Sequence, residues 1–368
     1  MKVPMLDLRA QYASIRKEIE EAVLQTLEKQ QFRGGPIVES FEKNLAAFAE
    51  VKHAIGVGSG TDALYVALRG LGLNPGDEVI TSPFSFFATA GAIVNAGGVP
   101  VFADIEADSF NMDPASIEPL ITAKTRCLLP VHVFGQCARM DAIEAIAKRH
   151  NLPIIEDAAQ ALGARYQGKQ AGAWGYASAL SFYPTKNLGA AGEGGAILTN
   201  DDDAAQHLRL LRGHGMDCQC HHIEIGVNSH LHTLQAAVLD VKIKKLEEWN
   251  RQRRERASYY TSLLQQLPEI VAPTTIEDAC HLYHQYVIRV PDRDRVQKEL
   301  HEKGIGCSVF YPRPLHRQPC IERLLKAPAY CPKAEQACRE VLALPIYPEL
   351  TQTQQDAVIA ALAELVPA

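Results

Sequence analysis

Ala54-Ile55-Gly56-Val57-Gly58-Ser59-Gly60-Thr61-Asp62-Ala63-Leu64 passes from a short apolar run, through three small residues, straight into a helical start. A buried strand that turns at once into a helix is half of a βαβ unit, and the same order repeats beyond it. Asn74-Pro75-Gly76-Asp77 is a turn, residues 78–81 read as a strand, 86–96 as a helix and 99–103 as a strand. Asp113-Pro114 caps a helix, 126–129 is a strand, 138–150 a helix, and Leu152-Pro153-Ile154-Ile155-Glu156-Asp157 a strand ending in acid. Strands that are apolar throughout, rather than alternating, belong in a parallel sheet covered on both faces. The predicted fold class is α/β, with a three-layer α/β/α large domain built on a mostly parallel sheet.

On the N-terminal side, Tyr12, Ile15, Ile19, Val23 and Leu27 recur at helical spacing, so 10–30 reads as an amphipathic helix that can pack on either domain. Gly34-Gly35 breaks it and Pro36 opens a second helix at its first position. On the other side the alternation stops near residue 200. A helix at 201–212 leads to a polar loop at 213–230 and a long helix at 231–265. After Pro273 come a strand at 284–290, a helix at 292–303, a proline-rich turn and a final helix at 351–366. A length of 368 residues suggests two domains. The expected boundary lies near 250, giving a large domain at 1–250 and a smaller α+β domain at 251–368.

Hydrophobic residues make up 47% and charged residues 22% of the chain, which is enough apolar material for a real core. A net charge of -6 argues against a dedicated nucleic-acid binder, which would show a basic face. The N-terminal residues hold no apolar stretch of signal-peptide length, and no run reaches membrane-spanning length. A cytoplasmic protein without membrane or nucleic-acid partners is expected. Nine scattered cysteines suit reduced thiols better than a disulfide framework.

Candidate chemistry gathers at the ends of the predicted strands. In Ser178-Ala179-Leu180-Ser181-Phe182-Tyr183-Pro184-Thr185-Lys186, an apolar run ends in a polar loop that carries a lysine. A lysine placed there can be desolvated, which lowers its pKa and makes the amine a nucleophile for carbonyl carbons. Most lone lysines are simply exposed, so the reading depends on its neighbours. Gly60 and Thr61 open a helix, where free N–H groups and the helix dipole favour a phosphate. Asp157 ends a strand where open α/β sheets bind ligands, with Gln160 three residues on. Phe86 follows another strand end and can stack on a flat ring. Helix capping and core packing would each explain one of these residues alone. Taken together, a phosphate cradle, an acid, an aromatic face, the Ser181 hydroxyl and a lysine suit pyridoxal phosphate (PLP).

With these motifs the sequence resembles the DegT/DnrJ-type family of PLP-dependent sugar aminotransferases, of the aspartate-aminotransferase fold type (PLP-transferase fold type I). The match continues through Gly192-Glu193-Gly194-Gly195, Gly226-Val227-Asn228-Ser229, Leu234-Gln235-Ala236-Ala237 and Tyr311-Pro312-Arg313-Pro314-Leu315-His316. The resemblance implies Lys186 as the Schiff-base lysine and Asp157 as partner of the pyridine nitrogen. It places Gln160 on the ring hydroxyl, Phe86 on the ring face, and Gly60, Thr61 and Ser181 on the phosphate. It also implies a homodimer with shared active sites, in which Asn228 reaches the partner's cofactor, and His222, His230 and Tyr311 as substrate contacts. Related dehydratases carry histidine in place of the lysine, so Lys186 resembles the transaminating branch. The implied reaction moves an amino group from an amino acid, L-glutamate first, to a ketone of a nucleotide-linked sugar in amino-sugar or surface-polysaccharide biosynthesis.

His221-His222-Ile223 and Gly226-Val227-Asn228-Ser229 resemble the loop of enzymes that aminate C3, some of them acting on UDP-linked hexuronic acids. Such chains carry arginine and an acidic residue where this one has His230 and His232, and histidine lacks arginine's permanent charged fork. C3 amination is the first expectation and C4 amination of a 4-keto-6-deoxy sugar the next. Rival readings are a regulatory protein that keeps the fold without turnover, and a metal site at Cys218-Gln219-Cys220-His221-His222. Lys186 and Asp157 count against the first. The crowding of the ligands and the lack of a second pair count against the second, so no metal is expected.

Overall fold

The computed structural model describes residues 1–325 and 327–366. The last two residues of the expected C-terminal domain, and Lys326 within it, lie outside these. Seven strands form the central sheet, in the order 53–57, 195–199, 177–181, 155–157, 125–129, 78–81 and 99–102. Two hydrogen-bonded blocks are joined by parallel bridges between Leu128 and Ile154 and between Val131 and Asp157. Only Gly195–Thr199 runs against its neighbours, pairing antiparallel with both His53–Val57 and Ala177–Ser181. The sheet is mostly parallel.

Three layers follow from the pleat, which sends alternate side chains to opposite faces. Ala54, Ile80, Leu128, Leu180 and Leu198 enter one core, with Phe41, Leu45 and Leu239 from the helices Pro36–Phe48 and Thr233–Lys242. Their strand neighbours Ile55, Val79, Cys127, Ala179 and Ile197 enter the other, with Leu64, Leu68, Ile93 and Leu208 from Gly60–Gly70, Ala88–Asn95 and Asp202–Arg212. Both faces are covered, as strands apolar throughout require.

Three elements differ from the sequence reading. The long helix expected at 231–265 is two helices, Thr233–Lys242 and Leu246–Leu264, joined by a 3-10 turn at Ile243–Lys245. That tighter turn advances each residue further round the axis and re-aims the apolar face. Leu239 and Leu246 thus serve the large core, Trp249 meets Ile15 and Ile19 of the first helix, and Ala257, Tyr260 and Leu264 join a third core. Asp113 does cap, accepting from the Ala115 N–H at 3.0 Å, but only 3-10 turns follow, because Pro119 cannot continue a helix. The polar loop contains a bulged ribbon, Met216–Cys218 against His221–His222. Gly215 enters it at φ +66°, where a side chain would collide with the Glu224 carbonyl.

The C-terminal part holds an antiparallel pair, Tyr286–Arg289 with Val341–Leu344, and the helices Arg293–Glu302 and Gln352–Leu365. Tyr286, Ile288, Leu342 and Leu344 face the third core, which also takes Val3 from the N-terminal segment. Val287 and Ala343 face the opposite way, onto Phe84, Phe110 and Phe134 from the large sheet's loops. Tyr311 stands on that aromatic wall, 5.7 Å from Phe84 and 6.5 Å from Phe134 between ring centroids. The C-terminal part therefore closes one side of the space beyond the sheet. Among the described residues no helix is long and apolar enough to cross a membrane.

Candidate active site

Lys186 lies on the loop that leaves Ala177–Ser181, and the loop is fastened at several points. Its N–H donates to the Tyr183 carbonyl at 2.8 Å, and the Ala190 N–H donates to the Phe182 carbonyl at 2.8 Å. The Asn187 amide spans the loop's base, donating to Asn250 Oδ1 at 2.9 Å and meeting His284 Nδ1 at 3.1 Å. The half-buried lysine thus reaches a cavity of about 500 Å³ from a fixed direction. Burial lowers its pKa to about 8, against the opposing pull of the Asp157 charge. Less protonation leaves more free amine near neutral pH.

Asp157 ends its strand at the same cavity and is 5% exposed. The Thr89 hydroxyl donates to its Oδ2 at 2.8 Å and the Ala159 N–H to its Oδ1 at 3.2 Å. Burial raises the carboxyl's pKa, while these donors and the Lys186 charge pull it down. Gln160 is oriented at both ends of its amide: Oε1 accepts from the Phe134 N–H at 2.6 Å and Nε2 donates to the Tyr311 hydroxyl at 2.9 Å. Burial pushes the Tyr311 hydroxyl well up, so it stays protonated.

Opposite them Ser59 caps the helix Gly60–Gly70, accepting from the Asp62 N–H at 3.0 Å. Gly60 and Thr61 are its first two residues, whose N–H groups have no carbonyl one turn back. A Cβ on Gly60 would lie 2.6 Å from Ser181 Cβ, so the absent side chain lets the turn close on that serine. Phe86, 61% exposed, stands at the rim. The structure thus brings together Gly60, Thr61, Phe86, Asp157, Gln160, Ser181, Lys186 and Tyr311 in one cavity.

Some functional groups carried no assigned role in the sequence reading. Thr89 lies only three residues beyond Phe86, but its bond to Asp157 spans 68 residues. Glu156 points away from the cavity, fully buried, and accepts from the N–H groups of Gly172, Trp174 and Gly175 at 2.7–2.9 Å. His132 Nε2 lies 2.9 Å from Glu156, and its Nδ1 accepts from the Ala138 N–H at 3.1 Å, which places the ring proton on Nε2. A charged residue inside an apolar strand was the available signal. Its partners were not.

Asn228 and His230 lie elsewhere. With Phe32, Arg33, Gly58, His232 and Leu234 they line a second cavity of about 390 Å³. The Ser229 hydroxyl ties this segment to the phosphate turn, accepting from the Gly58 N–H at 3.0 Å and donating to Asp62 at 2.8 Å. His222 lines neither cavity; it is exposed on the ribbon, with Nδ1 3.0 Å from the His214 carbonyl. Within one chain, therefore, neither Asn228 nor His222 nor His230 reaches Lys186. On the ribbon Asp217, Cys218 and His221 come within 4.8 Å of one another, while Cys220 and His222 stay outside that group. Asp217 bonds instead to the Cys218 N–H and His221 Nδ1, both at 2.7 Å.

This arrangement has close counterparts. Residues 13–363 match the DegT/DnrJ/EryC1/StrS aminotransferase family, and the chain belongs to it. It is 48% identical to the pleiotropic regulatory protein of Geobacillus stearothermophilus, over 99% of this chain and 98% of that one. It is 42% identical to the dTDP-3-amino-3,4,6-trideoxy-alpha-D-glucose transaminase of Streptomyces venezuelae, covering 99% and 96%. Among solved structures, S. venezuelae DesV in complex with a ketimine intermediate superposes with a TM-score of 0.97 at 42% identity, covering 100% and 99%. Bacillus subtilis NtdA with bound cofactor PMP superposes with 0.93 at 35% identity, covering 100% and 86%.

Proposed function

We propose that the chain is a PLP-dependent transaminase that moves an amino group from L-glutamate to the C3 ketone of a nucleotide-linked sugar. The observation that carries this reading is the depressed Lys186 amine in one cavity with Asp157, Gln160 and the Gly60–Thr61 turn. The residues present fit the cofactor. A buried carboxylate with two donors and, among the described residues, no ion pair suits a protonated ring nitrogen, and a side-chain-free turn at a helix N-terminus suits a phosphate. The transaminase name of the Streptomyces relative supports both nucleotide-sugar substrate and C3.

In this reading Lys186 Nζ would hold the cofactor through its aldehyde, and Asp157 would face its ring nitrogen and favour a proton there. Gly60, Thr61 and Ser181 would hold the phosphate, Gln160 the ring hydroxyl, and Phe86 would cover the ring. Bound in this way, the cofactor supplies an electron sink for a carbanion next to the transferred nitrogen. With its amine free, Lys186 would take and return a proton at the substrate carbon, work for which a pKa of about 8 is suited. Tyr311, braced by Gln160, faces the acceptor. Asn228 serves the partner's cofactor across a homodimer, which accounts for its distance from its own Lys186, and His222 and His230 meet substrate there. The regulatory name of the Geobacillus relative supports the alternative of a non-catalytic regulator.

One spectrum separates the two. Purified protein with PLP should show the visible band of a lysine-bound cofactor, and excess L-glutamate should bleach it to the pyridoxamine form. Lys186→Ala should lack the band. A band that glutamate leaves unchanged would remove the glutamate transaminase reading, and no band at all would favour the regulator.

A further inference from the structure

Of the residues that line the second cavity, Arg33 has no part in the reading above. Arg33, Asn228, His230 and His232 stand in its wall, and among the described residues no carboxylate does. Arg212, whose charge also acts on His230, is already neutralised by Glu42 at 2.7 Å. Arg33 is not. Its one side-chain hydrogen bond among the described residues goes to His230 Nε2, 2.5 Å away.

The backbone around Arg33 is pinned rather than loose. Arg33 forms an antiparallel bridge with His232, the Thr233 N–H donates to the Phe32 carbonyl at 3.2 Å, and the Thr233 hydroxyl donates to the Gly34 carbonyl at 3.3 Å. Burial, then the Arg33 charge, lowers His230 to about 4, so its ring is neutral at ordinary pH and accepts an arginine N–H. A guanidinium has five N–H donors, so four remain for something else. A permanent, unpaired cation with free donors and a fixed orientation is a site for planar oxyanions. Gly58 lines this cavity and Ser59 and Gly60 line the other, so the two open on either side of one turn.

We infer that Arg33, braced by His230, binds an oxyanion of the sugar-nucleotide substrate in this second cavity, supplied by the diphosphate or by a carboxylate on the sugar. The inference rests on the sugar-nucleotide reading above. Arg33 is a specificity residue, lining a different cavity of its chain from Lys186.

The test titrates PLP-loaded wild type, Arg33→Gln and Arg33→Lys calorimetrically with UDP-glucose, UDP-glucuronate and dTDP-glucose. Wild type should bind at least one probe, and Arg33→Gln should bind it about tenfold or more weakly, the loss of one charged hydrogen-bonding partner. Arg33→Lys, which keeps the charge but not the fork, should fall between. An equal loss for UDP-glucose and UDP-glucuronate assigns the diphosphate; a loss for UDP-glucuronate alone assigns the carboxylate. Affinities within about twofold of wild type for every probe would overturn the inference. So would no binding of any probe to wild type, or loss of PLP from Arg33→Gln with sugar-nucleotide affinity intact. The glutamate response of wild type is read separately: its failure would strike the transaminase reading, while the titrations would still decide the role of Arg33.

Discussion

A lysine amine kept out of water changes the pH dependence of the fold as well as its reactivity. Lys186 falls from 10.5 to about 8 because burial disfavours its charge. The unfolded chain therefore binds more protons between those two values, and stability rises with pH through that window. Below about 8 the cost of the buried charge is fully present. Lys186→Met removes the cost, so the cofactor-free variant should melt above wild type at neutral pH, and the gap should close as pH climbs from 8 towards 10.5. Thermal scans of both proteins across that window test it, and a gap constant with pH would contradict it. Thr89 offers a second test. Thr89→Val keeps the shape but removes the hydroxyl that donates to Asp157, which costs roughly 1–3 kcal/mol at a buried charged acceptor. PLP affinity or the rate of glutamate bleaching should fall about tenfold, with recovery in Thr89→Ser. Lys186, Asp157, Gln160 and Ser181 were legible because strand ends announce themselves in a local pattern. The pairing of Arg33 with His230 was not, since 197 residues separate them and nothing in either neighbourhood points to the other.

At the scale of elements, the strand Ile155–Asp157 does two jobs with adjacent acids. Asp157 turns to the cavity, and Glu156, on the opposite face of the pleat, gathers the 172–175 loop and His132. Glu156→Ala would strand three backbone donors and the His132 ring in a site without water access. A loss of at least about 3 kcal/mol is expected, since each buried donor left without a partner costs roughly 1–3 kcal/mol. Urea unfolding should show a lower midpoint at unchanged slope; a shift worth under about 1 kcal/mol would show that the loop holds itself. The strands could be read in advance because apolar runs bounded by turns are a local signal. The break at Ile243–Lys245 could not, because helical periodicity runs on through it. Three separate cores competing for one helix face impose it, and those cores exist only once the chain has folded.

For the whole molecule, the separation of the two cavities makes a test of shared active sites. Lys186 and Asn228 line different cavities of one chain, on either side of the Gly58–Gly60 turn. If Asn228 serves a partner's cofactor, a mixed dimer of Lys186→Ala and Asn228→Ala subunits has one site with both defects and one site with neither. Random exchange puts half the molecules in that mixed state, so two weakly active preparations, unfolded and refolded together, should recover about one quarter of wild-type activity. Each variant refolded alone sets the baseline. Recovery requires the lysine of one subunit and the asparagine of the other to act at the same cofactor. If Asn228 worked within its own chain, every site in the mixture would keep one defect, and activity would stay at the average of the two baselines.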